Sequence, residues 1–254
     1  MSDPQIIAGM HSVRTALKHG ADGVAEVWVE ARRRDKKIRD IVALAKAAGV
    51  VLHQVERAEL DAKVPGVNHQ GAVAQVEVPA ARGEQDLEEL LNNATTPPLL
   101  LILDGVQDPH NLGACLRSAD AAGVLAVIAP KDRSVGLTPT ACKVASGAAE
   151  TVPFIQVTNL ARTLRWLQTE AGVWVVGTAG EAETNLYQAD LNGALALVMG
   201  AEEKGMRRLT REACDLLVKL PMAGSVESLN VSVATGICLF EANRQRMTTT
   251  QHSG

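Results

Sequence analysis

Two rhythms of apolar residues divide the chain. In the first part they alternate with polar ones. Glu26 to Glu30 (E-V-W-V-E) and Gly71 to Val78 read as strands with one covered face. Gln5 to Gly9 leads into a helix from His11 to His19. Lys36 to Ala48 carries apolar residues at helical spacing and ends at Gly49. Val50 to Val55 reads as a strand and Ala58 to Val64 as a short helix. From Leu99 the rhythm changes. Leu99 to Leu103 is a continuous apolar run, suited to a strand buried on both faces. Similar runs follow at Val124 to Ala129, Pro153 to Val157, Val173 to Gly177, Ala194 to Met199 and Leu216 to Leu220. Helical patterns lie between them, at Thr138 to Ala149, Leu160 to Glu170 and Leu209 to Asp215. Such alternation predicts an α/β fold with a mainly parallel sheet and helices on both faces. Ligands of such sheets bind in the loops after the strands.

The change of rhythm sets the domain boundaries. Residues 1–78 form a small α/β unit. Residues 79–97 read as a linker, with prolines at 79, 97 and 98, an acidic middle and a short helix from Gln85 to Asn92. Residues 98–254 form the larger domain.

The closing stretch, Leu220 to Phe240, turns through Pro221 and Gly224 and then takes helical period. Leu229, Val233, Ile237 and Phe240 fall on or near one face, with Ser225 as a candidate N-cap and the helix running from Ser228. Asn230 and Ser232 do not fit this pattern, because Asn and Ser are mediocre helix formers and costly to bury unpaired.

Composition narrows the class. The chain has 254 residues, 46% hydrophobic and only 2% aromatic, so its core is built from Ala, Val, Leu and Ile. No apolar run reaches the roughly 18 residues of a membrane span. The N-terminus lacks the basic and long apolar regions of a signal peptide, so a cytoplasmic protein is expected. Cys115, Cys142, Cys214 and Cys238 are widely spaced with no C-x-x-C, which predicts free thiols and no metal. The net charge of −4 argues against nucleic-acid binding through bulk positive charge, but not against a local patch. Residues 1–79 carry 11 basic and 10 acidic side chains, including the run Arg32-Arg33-Arg34-Asp35-Lys36-Lys37. That run is a solvated loop or a phosphate-contacting surface. Asn68-His69-Gln70, between Gly66 and Gly71, is a polar loop whose side chains a plain turn does not require.

Three loops of the larger domain carry the candidate chemistry. The first, Asp104 to Asp120, contains Asn111, a candidate helix cap, and Arg117, which can make a structural ion pair or reach an anion. The second, Val198 to Gly205, pairs Glu202 with Gly200 and Gly205, which permit a tight turn and close backbone approach. The third is the closing stretch. Neither G-x-G-x-x-G nor G-x-x-x-x-G-K-[ST] is present, which disfavours an ordinary dinucleotide or phosphate-loop enzyme.

The segments N-L-G-A-C-L-R-S-A at 111–119, M-G-A-E-E-K-G at 199–205 and L-P-M-A-G-S-V-E-S-L-N-V-S-V-A at 220–234 resemble the three motifs of the SPOUT superfamily, in its SpoU-type branch of RNA ribose 2′-O-methyltransferases. G-M-H-S-V at 9–13 and N-H-Q-G at 68–71 resemble the family's small RNA-binding domain. Glu203 stands where many relatives have Gly.

The resemblance implies a Rossmann-like C-terminal domain closed by a deep trefoil knot, and an N-terminal domain with a ribosomal-protein-like α/β fold. It implies S-adenosylmethionine as methyl donor, held largely by backbone at Gly200, Leu220, Met222 and Leu229, with Thr178, Ala179 and Gly180 as a neighbouring wall. It implies a homodimer packed through the knot, with an active site built from both subunits. The expected substrate is a guanosine ribose of 23S rRNA. A tRNA ribose is the alternative, and a non-catalytic RNA-binding factor on the same fold is a rival. Arg117, oriented with the ribose and loop by Asn111, Glu202, Ser228 and Asn230, is the expected centre of the chemistry. Two roles stay open for it. The family proposal makes it the base, yet a free guanidinium keeps its proton to about pH 12; the alternative is that it binds the adjacent phosphate and aligns the hydroxyl. Arg32, Arg33, Arg34, Lys36 and Lys37, with Asn68, His69 and Gln70, are the expected RNA contacts.

Overall fold

A computed structural model describes residues 2–19, 21–79, 81–201 and 204–251. The chain divides into two compact units, Met1–Ala80 with Leu137–Val144, and Ala81–Gly136 with Ala145–Gly254.

The first unit runs β1 (Ser2–Ala8), α1 (Met10–His19), β2 (Val24–Glu30), α2 (Lys36–Ala47), β3 (Val51–Val55), α3 (Arg57–Lys63) and β4 (Ala72–Pro79). Its sheet has the order β1-β4-β2-β3; β4 is antiparallel to both neighbours and β2 is parallel to β3. The alternation along β2 splits the two faces. Val27 and Val29 join Val13, Leu17, Ile38 and Ile41 in the core beneath α1 and α2, while Trp28 packs with Leu60 and Val73 beneath α3. Asp35 starts α2 by accepting from the backbone N–H groups of Lys37 at 3.0 Å and Ile38 at 3.2 Å. Gly49 ends it at φ +70°, as its place in the sequence predicts.

The second unit opens with α4 (Glu84–Asn92). Then come β5 (Leu99–Asp104), α5 (Pro109–Ala121), β6 (Ala126–Pro130), α6 (Pro139–Ala145, which falls with the first unit up to Val144), α7 (Ala148–Thr151), β7 (Phe154–Val157) and α8 (Leu160–Thr169). The remainder is β8 (Trp174–Thr178), β9 (Thr184–Asn185), β10 (Leu195–Gly200), α9 (Arg208–Glu212), β11 (Leu216–Lys219) and α10 (Val231–Gln251). The seven strands pair in the order β7-β6-β5-β10-β8-β11-β9, every pair parallel. The expected α/β class with a parallel sheet is therefore present. Leu100 and Ile102 pack on one side with Leu87 of α4 and Leu160, Leu164 and Leu167 of α8. α5 packs against α10, which also meets β10. The strand order reverses between β5 and β10, the kind of switch point beside which ligands of parallel sheets bind.

Several sequence expectations need correction. Residues 81–97, expected as a linker holding a short helix, fall in the second unit, and the helix is α4. Leu87 is buried in its core, and Arg82 pairs with β7 through Arg82 N to Phe154 O at 2.9 Å and Gln156 N to Arg82 O at 2.8 Å. The helix expected over Thr138 to Ala149 is broken at Ser146 and Gly147, which take φ +53° and +94°. Asp108, not Asn111, caps α5, accepting from His110 N at 2.8 Å just before Pro109 at the first helical position.

The last helix starts at Val231, not Ser228, and Asn230 rather than Ser225 serves its first turn, its Oδ1 accepting from Ser232 N at 2.9 Å. The buried face of α10 is Val231, Thr235, Cys238, Leu239 and Ala242. The face read from the apolar spacing is the outer one, with Val233 51% and Phe240 52% exposed. The physical reason lies in α5, a helix of small residues: the Cys115 Sγ donates to Thr235 Oγ1 at 3.5 Å, so a polar threonine can face inward.

Candidate functional site

Strand ends β8, β10 and β11 surround a cavity of about 320 Å³, within the roughly 300–1,000 Å³ of small-molecule sites. Thr178, Ala179 and Gly180 supply one wall, directly after β8. Gly200 and the loop residues Lys204, Gly205 and Met206 supply the second. Leu220, Met222, Ser228 and Leu229, between β11 and α10, supply the third. Every residue expected to hold the cofactor thus lines one cavity, together with Ser228.

The second wall depends on glycine. Gly205 takes φ +61° and exchanges hydrogen bonds with Ala201, through Gly205 N to Ala201 O at 2.8 Å and Ala201 N to Gly205 O at 3.2 Å. A Cβ on Gly200 would lie 2.3 Å from both the Gly205 carbonyl carbon and the Met206 nitrogen. Only a bare backbone allows this return. The Thr178 hydroxyl donates to Val198 O at 3.1 Å, which fixes the first wall to β10. Charge in the lining is mixed: it includes Lys204, Lys219 and Glu227, and Glu181 pairs with Arg211. A hollow with a glycine-built wall and charges of both signs fits a zwitterionic ligand that carries an extra cationic centre, the charge pattern of S-adenosylmethionine.

The remaining expected site residues fall in three places. Asn111 and Asn230 are joined directly, Asn230 Nδ2 donating to Asn111 Oδ1 at 3.0 Å. Asn230 Oδ1 also accepts from Ser232 Oγ at 2.6 Å. The two polar residues that did not fit the helical pattern therefore form one network. Arg117 is exposed on α5, outside the cavity lining, and makes no hydrogen bond or ion pair with a described residue. Glu202 lies outside the described residues. Lining residues missed in the sequence include Glu227 and Val231; their only signal was position within the third motif.

Two of the four thiols are disfavoured as nucleophiles. Burial pushes Cys214 up to about 12, helped by Asp215 and Asp104, and burial alone pushes Cys238 up to about 12.

In the first unit the basic run does not act as one block. Arg33, Lys36 and Lys37 line an open groove with Asn68, Gln70 and Arg57. Arg33 Nη1 donates to Gln70 O at 2.8 Å, and Gln70 holds φ +53°. Arg33 Nε also bonds Asp35, and this contact above all holds the Asp35 carboxyl below its ordinary range. Arg34 lines a neighbouring groove with Arg39 and Lys46. Arg32 is exposed and pairs with Glu56 Oε1 at 3.3 Å. His69 is buried. Its Nδ1 accepts from Gly71 N at 3.0 Å, so in the neutral ring the proton is on Nε2, which faces Asp61 Oδ1 at 2.9 Å. With both nitrogens used inside the fold, His69 shapes the loop rather than presenting itself at the surface.

Residues 98–240 match the model of the SpoU rRNA methylase family, and residues 6–80 match that of the RNA 2′-O ribose methyltransferase substrate-binding domain. The chain belongs to the SpoU rRNA methylase family. Among curated SpoU relatives, the 23S rRNA (guanosine-2′-O-)-methyltransferase RlmB of Pseudomonas syringae pv. tomato is 61% identical over 246 residues, covering 97% of this chain and 98% of that protein. Among solved structures, the SpoU methyltransferase AviRb from Streptomyces viridochromogenes, in complex with AdoMet, aligns with a TM-score of 0.62 at 25% identity. It covers 96% of this chain and 91% of its own. The TrmH/SpoU tRNA modifying enzyme of A. aeolicus aligns with a TM-score of 0.57 at 30% identity, covering 67% and 87%.

Proposed function

We propose that this protein methylates the ribose 2′-hydroxyl of a guanosine in 23S rRNA, using S-adenosylmethionine. The observation that carries the reading is the single cavity that gathers the residues of the second and third motifs in a SpoU-family chain. The ribosomal substrate is favoured over tRNA by the 61% identity to the RlmB relative, against 30% to the tRNA modifying enzyme.

When bound, S-adenosylmethionine supplies an electrophilic methyl group on a sulfonium sulfur. The glycine-built loop at Gly200 and the segment Leu220 to Leu229 hold it through backbone. The hydroxyl is a weak nucleophile until its proton leaves. Arg117 binds the neighbouring phosphate and aligns the hydroxyl, whose proton passes to phosphate or water; alignment of this kind contributes several kcal/mol. Asn111, Ser228 and Asn230, with Glu202, orient the loop and ribose.

The reading includes the family's knotted C-terminal backbone and a homodimer in which Arg117 serves the partner's cavity. The outer face of α10 supports the dimer: Val233, Phe240 and Met247 recur every seven residues and are 51%, 52% and 66% exposed. The first unit recruits RNA through the groove of Arg33, Lys36, Lys37 and Arg57, with Arg34 beside it and Asn68 and Gln70 on its edge. No helix among the described residues is long and apolar enough to cross a membrane, in keeping with work on rRNA in the cytoplasm.

Calorimetric titration of S-adenosylmethionine, followed by methyl transfer to unmodified 23S rRNA, tests the reading. One site per chain and a methyl group on a ribose 2′-oxygen are expected. A chain that binds rRNA but not S-adenosylmethionine would return the reading to a non-catalytic RNA-binding factor.

A further inference from the structure

Asp104 is the last residue of β5, opposite Gly200 in the sheet register, and its side chain is 0% exposed. A buried carboxylate needs partners. Both of its oxygens find them on one residue. The Arg207 backbone N–H donates to Oδ2 at 2.8 Å and Arg207 Nε donates to Oδ1 at 2.6 Å. Arg207 directly follows Met206, the last lining residue of the loop that leaves β10, and is the N-cap of α9. β5 and β10 are already joined by their own ladder, so the added effect of the pair falls on the loop. Its near end is closed by the Ala201–Gly205 exchange. Its far end is closed by Asp104.

We propose that Asp104 and Arg207 form a positioning pair that holds Gly205 and Met206, on the cavity side of the loop after β10, in their ligand-binding place. The same carboxylate stands four residues before Asp108, the cap of α5. Neither residue lines the cavity, so both act through the loop. This inference rests on reading the cavity as the S-adenosylmethionine site.

The test uses the full chain. Arg207→Ala keeps the backbone N–H bond and removes the guanidinium bond from a side chain that is 39% exposed, so folding is expected to survive where Asp104→Asn can fail. Calorimetry is expected to show S-adenosylmethionine binding weakened about tenfold in Arg207→Ala, the loss of a pre-shaped loop, with Arg207→Lys between it and the unaltered chain. In methyl transfer, KM for S-adenosylmethionine rises while KM for rRNA stays. Unaltered affinity in Arg207→Ala, or an equal rise in both KM values, overturns the pair's role alone. No binding by the unaltered chain sinks the functional reading and this inference with it.

Discussion

In the proposed function the cavity of the second unit and the groove of the first are both recognition surfaces, and they are built in opposite ways. The cavity depends on backbone at one wall. Gly200 and Gly205 let one loop return on itself, and the surrounding walls are strand ends. The groove is made of long cationic side chains, Arg33, Lys36, Lys37 and Arg57, around polar loop residues. A backbone site discriminates by shape, and its tolerance of side-chain change depends on whether the new atoms collide. A side-chain site works through charge, so each cation contributes separately and salt weakens it. One protein can thus keep a strict requirement for its small ligand and an adjustable grip on a large polyanion.

Arg117→Ala is expected to lower methyl transfer by more than about 100-fold, the scale of losing a group that acts in the transition state, while calorimetry finds S-adenosylmethionine binding unchanged. Near-normal turnover would remove Arg117 from the chemistry. Gly200→Ala comes next. Its Cβ meets backbone at 2.3 Å, and a roughly tenfold or greater loss of S-adenosylmethionine affinity is expected, without effect on rRNA binding. By contrast Met222→Ala, which trims an exposed side chain and leaves its backbone in place, should change that affinity by less than about threefold. Equal losses at both positions would mean that side chains, not backbone, make the site.

In the groove the expected signature is different. Lys36→Ala and Lys37→Ala should each weaken rRNA binding and reduce the slope of log affinity against log salt by up to about 1. S-adenosylmethionine affinity should not move. A salt slope unchanged in the double variant would take the groove out of RNA recognition. His69→Ala should act mainly on stability, through the Asp61 and Gly71 bonds, and least on the salt slope.

The parallel sheet was legible because its strands are covered on both faces, and Leu99 to Leu103 can hardly be anything else. The ends of elements were less so. β9 is two residues long and leaves no period to read. Ser146 breaks a helix through a left-handed turn that its composition does not announce. The closing helix shows the limit best. Its apolar residues lie on two faces, and periodicity selected the outer one, because the inner face carries Thr235 against Cys115 of a distant helix. Asn230 looked misplaced for a related reason: its partner, Asn111, is 119 residues away. The cavity's residues were legible as motifs of a family, and not from period or charge. No local pattern distinguishes a glycine that ends a strand from one that shapes a ligand site. The basic run was visible at once, but its division between two grooves and an ion pair depends on where α2 and α3 place it.

The most direct test of the account is a map of ribose methylation in 23S rRNA. Unmodified 23S rRNA would be incubated with the protein and S-adenosylmethionine, digested, and its 2′-O-methyl positions read by mass spectrometry. The account predicts one new 2′-O-methylguanosine, absent when Arg117→Ala replaces the unaltered chain. A methyl group on a base, or none with the donor demonstrably bound, would contradict it.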